Sequence, residues 1–367
     1  MPEKTRVLVV DDATVVRGML SKIINAEPDM EMIGSAADGR AGVEKAEALR
    51  PDVIVLDINM PVMDGMEALR LLRRRLPETP VIMFSTLSQA GAAITLEALA
   101  AGAADYSTKP SNAGSSAAAS EQVRSELVAK IRGLGPGASA PPGPTGPARP
   151  LGSTVATRPR MSRPVDAVLI GTSTGGPAAL EAVLPELPGN LNVPILIVQH
   201  MPPTFTAVLA ERLDRLCPFP VHEGADGMKV EPGHGYLAAG GFHMRVERSE
   251  NGVRLTLDDG PKIKSCRPAV DALFDSAAEV WGPRLVAAIL TGMGDDGLDS
   301  CTRLARHDVE IIAQDEETSV VWGMPGAVAR AGLATRCLPL AEIPMALLDS
   351  AARRAVGHAR AARAVTR

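Results

Sequence analysis

The sequence predicts an α/β protein in two parts, each a parallel sheet layered between helices. Short apolar runs alternate with helix-period segments from Arg6 to about Arg132, and the alternation resumes at Val165. Between them, Gly133 to Pro164 is Pro, Gly, Ala, Ser and Arg, with almost no large apolar side chain to offset the entropy of ordering. A chain of 367 residues also suits two domains of roughly 100–200 residues better than one core. The expected division is 1–133, a flexible linker over 134–164, a second domain over 165–350 and an Ala/Arg-rich tail over 351–367.

In the first part the strand candidates are Val7–Val10, Met30–Ser35, Val53–Leu56, Val81–Ser85 and a brief Asp105–Ser107. Val15, Val16, Met19, Leu20, Ile23 and Ile24 give the first helix a buried face, and Ala90–Ala100 forms another helix. Five parallel strands with helices on both faces follow from right-handed crossovers. The second part opens with Ala167–Ile170, a Gly-rich turn, a helix and the strand Ile195–Gln199. Its middle, about Val221 to Leu257, reads as shorter strands broken by glycines, and Leu285–Leu290 is another buried strand, so a mainly parallel sheet is expected.

Composition narrows the function classes. Hydrophobic residues at 46% with 2% aromatic content require an aliphatic core. A net charge of -5 gives no basic field for nucleic acid, and so few rings leave little to stack on bases. Cys217, Cys266, Cys301 and Cys337 form no C-x-x-C pair, so the spacing predicts reduced, mostly buried thiols and neither a zinc site nor a disulfide framework. No signal-peptide core and no apolar run near the roughly 18 residues of a spanning helix are present, so a cytoplasmic protein without membrane insertion is expected.

Chemistry gathers at the strand ends. Asp11-Asp12 close the first strand and Asp57 the third; Ser85-Thr86 close the fourth, and Lys109-Pro110 follow the fifth. In a doubly wound sheet these ends converge on one ligand-binding edge. Three carboxylates there call for a hard cation such as Mg²⁺ and leave Asp57 as a nucleophile for phosphate. Lys109 and the metal would neutralise the transferring group, and the Ser85 hydroxyl would bond a phosphoryl oxygen. Singly these signals are weak, since Asp-Asp often marks a solvated helix N-terminus and Lys-Pro a turn.

Together, V-L-V-V-D-D, V-L-D-I-N-M-P-V-M-D-G, F-S-T and D-Y-S-T-K-P resemble the response-regulator receiver family across the whole first part. The resemblance implies a flavodoxin-like doubly wound domain with phosphoacceptor Asp57. It implies Mg²⁺ ligands at Asp11, Asp12, Asp57 and the backbone of Asn59, and switch residues Ser85, Tyr106 and Lys109.

In the second part, Gly171-Thr172-Ser173-Thr174-Gly175 lies between a strand and a helix, the setting of a G-x-S-x-G nucleophile. A phosphate cradle at the helix N-terminus is the competing reading, though the segment fits neither common phosphate-loop spacing. Serine needs a base, and His200 directly follows Ile195–Gln199. A third group must orient the imidazole. Thr291-Gly292-Met293-Gly294-Asp295-Asp296-Gly297 supplies two carboxylates after a buried strand, although a plain turn or an anion-binding nest would look similar. Backbone N–H groups at Thr174-Gly175 and Gly292-Met293 are candidate oxyanion donors. The order Ser, His, Asp disfavours the ordinary α/β-hydrolase fold, where the order is Ser, Asp, His.

These segments, with V-Q-H-M-P, A-D-G, A-A-G-G-F-H-M, C-R-P-A-V-D-A-L-F and V-V-W-G-M-P-G-A-V, resemble the chemotaxis protein-glutamate methylesterase (CheB) family from about Ile170 to Val328. The resemblance implies catalytic Ser173, His200 and Asp296, with Asp295 standing where other members often carry Asn. It also implies hydrolysis of glutamate γ-methyl esters on chemoreceptors with release of methanol, and deamidation of receptor glutamines. A histidine kinase is the implied phosphoryl donor, Mg²⁺ serves the receiver only, the esterase reaction needs no cofactor, and a monomer is expected. Phosphorylation would relieve a receiver that covers the catalytic face, so removal of Met1 to Gly133 would raise basal activity. A DNA-binding regulator would instead need a compact basic module, which the long, strand-rich second part does not supply. A catalytically silent adaptor would keep the fold without activating Ser173, and a predominant deamidase would release ammonia in place of methanol.

Overall fold

Alternation of apolar strands and amphipathic helices builds two separate α/β units, as a computed structural model of the chain describes for residues 4–110, 117–136 and 165–352. Strands β1 (Thr5–Val10), β2 (Met30–Ala36), β3 (Val53–Asp57), β4 (Val81–Ser85) and β5 (Asp105–Thr108) form the first sheet. Helices α1 (Thr14–Asn25), α2 (Gly39–Leu49), α3 (Gly65–Arg75), α4 (Gln89–Ala100) and α5 (Ala117–Leu134) connect and follow them. Every pairing is parallel and the order is β2-β1-β3-β4-β5. Every residue of β3 and β4 is buried, because helices cover both faces and continuous apolar runs satisfy both. Leu20, Ile23 and Ile24 of α1 pack into this core with Phe84, Leu127 and Ile131.

Two expectations for this unit change. Val15 is 78% exposed, because it stands in the first turn of α1, where the chain has only just left the sheet edge. Helix α5 continues through Leu134, one residue into the predicted linker; the rest of that linker from 137, and the tail from 353, lie outside the described residues.

The second unit contains strands β6 (Ala167–Thr172), β7 (Ile195–Gln199), β8 (Val221–Glu223), β9 (Gly235–Leu237), β10 (His243–Ser249), β11 (Gly252–Asp258), β12 (Leu285–Ile289), β13 (Glu310–Gln314) and β14 (Arg336–Leu338). Its helices are α6 (Gly176–Val183), α7 (Pro203–Leu216), α8 (Val270–Trp281), α9 (Leu298–Arg306) and α10 (Met324–Arg330). A seven-stranded sheet runs β14-β13-β12-β6-β7-β9-β8 with parallel pairing throughout, and β10-β11 is a separate antiparallel hairpin. The chain enters at β6, builds outward through β7, then returns to place β12 on the other side of β6. That reversal creates a crevice at the C-terminal strand ends, the place where open α/β sheets bind ligands.

Phe274 and Leu273 of α8 pack with Met244, Val246 and Leu255 of the hairpin, and with Leu169 and Ala287 of the sheet. Of the cysteines only Cys301 is buried; Cys217 and Cys266 are half-buried and Cys337 is exposed, which corrects the expectation of mostly buried thiols. All four are free, and among the described residues no helix is long and apolar enough to cross a membrane.

Candidate functional site

In the first unit, sheet register assembles the acidic pocket. Val10 pairs with Leu56, so the next residues, Asp11 and Asp57, leave the sheet side by side; Ser85 pairs with Thr108, which sets Lys109 beside them. Lys109 Nζ lies 2.8 Å from both Asp11 Oδ2 and Asp57 Oδ1. Asp11 and Asp57 are buried and Asp12 is exposed, and their carboxylate oxygens lie within 4.8 Å of one another. Burial pushes the Asp57 carboxyl up despite Lys109, and Lys109 itself is held above its ordinary value by the two carboxylates, against its own burial. One ammonium facing three carboxylates leaves excess negative charge in a half-dry pocket, and that donor set suits a hard, oxygen-seeking divalent ion.

The remaining residues frame this pocket. Asn59 is exposed in the loop after β3. Ser85 Oγ donates to the Gly91 carbonyl at 3.3 Å. Tyr106 is turned inward, 4% exposed, with Lys130 Nζ 4.6 Å from its ring centre, and burial drives its phenol well above its ordinary range. Gly65 has no room for a side chain, since a Cβ there would lie 2.1 Å from the Asp57 carbonyl oxygen. Close passage of that loop is what lets Gly65 N–H donate to the Ile58 carbonyl at 2.8 Å, directly behind Asp57.

In the second unit, register again does the placing. Thr172 pairs with Gln199, so Ser173 and His200 follow as neighbours, and His200 N–H donates to the Thr172 carbonyl at 3.1 Å. Gln199 Nε2 donates to the carbonyls of Ser173 and His200, tying the two strand ends together. Gly176 makes this possible, because a Cβ there would sit 1.9 Å from Gln199 Oε1. Ser173 N–H donates to the Thr291 carbonyl, bringing the loop after β12 against the nucleophile candidate.

His200 Nε2 donates to Asp296 Oδ2 at 2.7 Å. Asp296 is 2% exposed, and its carboxylate also accepts the N–H groups of Val270 at 2.6 Å, Asp271 at 3.1 Å and Gly297 at 3.0 Å. The first two belong to the N-terminus of α8, whose dipole favours a negative charge there. Burial opposes ionisation of Asp296, yet His200 and these N–H donors hold its carboxyl below the ordinary range. His200 is likewise disfavoured as a cation by burial, but Asp296 and Cys266 outweigh that and push it up to about 10. Asp295 turns elsewhere: Lys264 Nζ lies 3.5 Å from its carboxylate and donates to its carbonyl at 2.9 Å. The two adjacent aspartates, ambiguous in sequence, therefore face different partners.

Ser173 is half-buried, and among the described residues no hydrogen bond joins its Oγ to His200. The partner of His200 Nδ1 is instead Cys266 Sγ, at 3.5 Å. Gly292 is corrected as an oxyanion donor, because its N–H is engaged by the Val321 carbonyl at 3.0 Å. Met293 and Gly175 keep backbone N–H groups without an acceptor among the described residues, and the Thr174 carbonyl accepts from Thr291 Oγ1 at 2.8 Å. Sequence reasoning gave no role to Cys266, Gln199 or Lys264. The run C-R-P-A-V-D held a signal, since a proline just before a helix start marks a terminus able to receive an anion.

A carboxylate-and-lysine pocket on one sheet and a Ser, His and Asp set at the crevice of another have the make-up of a receiver joined to a hydrolase. Residues 7–119 match the response regulator receiver domain family, and residues 168–347 match the CheB methylesterase family. Curated relatives called protein-glutamate methylesterase/protein-glutamine glutaminase are similar over nearly the whole chain. One from a Nocardioides species is 46% identical over 95% of this chain and 96% of its own length. Another, from Rhodopseudomonas palustris, is 46% identical over 93% and 92%. The crystal structure of the Thermotoga maritima CheB methylesterase catalytic domain is similar at 43% identity and a TM-score of 0.50, covering 51% of this chain and 99% of that one. The chain belongs to the CheB methylesterase family.

Proposed function

We propose that the chain is a phosphorylation-activated serine hydrolase of chemotactic adaptation, which cleaves glutamate γ-methyl esters on chemoreceptors and deamidates specific receptor glutamines. The observation that carries the catalytic reading is the 2.7 Å contact between His200 Nε2 and Asp296, with Ser173 leaving the adjacent strand. Relatives along nearly the whole chain are called by both activities. In this reading Ser173 Oγ attacks the side-chain carbonyl carbon while His200 Nδ1 takes its proton. Asp296 fixes the ring and balances the imidazolium. N–H groups from the Thr174-Gly175 turn and Met293 bond the oxyanion. The imidazolium returns its proton to the departing methanol or ammonia, and water then cleaves the acyl-serine by the same route. No cofactor takes part in this step.

Control lies in the first unit. Mg²⁺, when bound by Asp11, Asp12, Asp57 and the Asn59 backbone, supplies charge neutralisation for phosphoryl transfer. Asp57 receives the phosphoryl group from a histidine kinase, Lys109 holds its oxygens, and Ser85 and Tyr106 respond. The units span 1–134 and 165–350, joined by a linker over 135–164 and followed by a tail over 351–367. The enzyme works in the cytoplasm as a monomer. A serine-directed phosphonate tests the catalytic half: mass spectrometry should find the adduct on Ser173, and His200→Ala should slow labelling by at least about 10²-fold. Absence of a Ser173 adduct in folded protein would leave the adaptor reading standing.

A further inference from the structure

We propose that Cys266 and His200 form an inhibitory site for a thiophilic divalent cation of the zinc type, set on the nitrogen that the esterase reaction uses. The proposal deepens the catalytic reading and rests on it for its consequence, but the site itself stands on geometry. Cys266 Sγ and His200 Nδ1 are 3.5 Å apart. A tetrahedral zinc ion with Zn–S of about 2.3 Å and Zn–N of about 2.0–2.1 Å spans roughly 3.5 Å between those ligand atoms. The two donors are thus already at the separation a shared ion needs.

His200 is also prepared electronically. Its Nε2–H donates to Asp296, so that in the neutral ring Nδ1 is the lone-pair nitrogen, and a carboxylate behind the ring is the usual companion of a metal-binding histidine. The ligand atoms of His200, Cys266 and Asp296 lie within 4.8 Å of one another, yet Asp296 is better placed as the supporting group than as a ligand. Both its oxygens already accept hydrogen bonds, Oδ2 from His200 and Val270 and Oδ1 from Asp271 and Gly297. Cys266 is held on a tight turn, exchanging backbone hydrogen bonds with Ile263, while Lys264 and Ser265 take left-handed conformations between them. Both Cys266 and His200 are half-buried, so water can complete the coordination.

An imidazole and a thiolate together select zinc over magnesium or calcium. On binding, the Cys266 thiol proton and the His200 Nδ1 proton leave to solvent as the metal–sulfur and metal–nitrogen bonds form, and the freed Nδ1 lone pair is donated to the ion; nothing is oxidised or reduced. With Nδ1 occupied, Ser173 has no base. The ion should therefore inhibit reversibly, and a chelator should restore the rate.

The test uses the full chain with excess Mg²⁺ to fill the acidic pocket of the first unit. Zinc chloride is titrated by calorimetry and against methanol release, in wild type, Cys266→Ala and Cys266→Ser, each compared with its own zinc-free rate. Cobalt(II) provides a spectroscopic probe through thiolate-to-metal charge transfer. One Cys266-dependent site per chain is expected, with affinity and inhibition both weakened by at least about tenfold in the two cysteine variants. Ser173→Ala should bind zinc and show the cobalt–thiolate band while hydrolysing nothing, so failure of the catalytic reading would leave the metal site measurable. Equal zinc inhibition of wild type and the cysteine variants would overturn the proposal, as would a Cys266-bound ion that leaves the rate unchanged.

Discussion

His200 sits between two groups that favour its charged form, the Asp296 carboxylate and the Cys266 sulfur, and they push it from an ordinary 6.5 up to about 10 against the effect of burial. In the proposed mechanism His200 must be neutral to take the Ser173 proton, so the rate should rise with pH through the pKa of His200. The acid limb of the kcat/KM profile is expected above pH 6.5, and Cys266→Ala should move it down by removing one of the two raising contacts. A limb at or below 6.5 in wild type would contradict the arrangement. Ser173, His200 and Asp57 were legible in sequence because each stands at or just after the end of an apolar strand, so position alone brings them to a sheet edge. Spacing alone left Asp295 and Asp296 open and only the family resemblance singled out Asp296, to which α8 gives two N–H groups from residues 25 and 26 positions away. Cys266 was equally hidden, 66 residues from His200 in sequence and 3.5 Å in space.

Helices α8 and α9 hold one another through their termini. The first N–H groups of α8 bind Asp296, which stands just before α9, while Asp271 of α8 accepts the Ser300 N–H of α9 at 2.8 Å. A comparable economy of space rules the first unit at Gly65, the first residue of α3. Gly65→Ala would force a methyl against the Asp57 backbone, so it should destabilise that unit by roughly 1–3 kcal/mol in denaturant unfolding. An unchanged midpoint would show that the loop relaxes freely. Strands flanked by helices on both faces, such as β3, β4, β6, β7 and β12, were legible as unbroken apolar runs. Strand β13 was not anticipated, because Glu310 and Gln314 bracket only three apolar residues, and the three-residue β14 is too short to show a period. Their pairing comes from the sheet they join, not from their own pattern.

At the level of the whole chain, two α/β units carry two chemistries, and each can be perturbed alone. Asp57 resists ionisation because it is buried, so its folded-state pKa lies above 3.8 and its charge costs stability at neutral pH. Mg²⁺ should offset that cost, raising the unfolding free energy of the first unit by about 2.7 kcal/mol at a hundredfold excess over Kd. The gain should fade as pH falls into the raised carboxylate range and shrink in Asp57→Asn; a gain independent of both would place the ion elsewhere. The α/β class and both constellations were legible because strand ends in parallel sheets gather chemistry predictably. The order of the seven strands was not, since it depends on where the chain reverses around β6.

The proposed hydrolysis by Ser173 under the control of Asp57 would join the two chemistries into one function. Methanol release from methylated receptor, measured with Mg²⁺ and a small-molecule phosphoryl donor, tests that link directly. Release should vanish in Ser173→Ala, and should rise on phosphorylation in wild type but not in Asp57→Asn. Release that persists without Ser173, or that rises equally without Asp57, would contradict it.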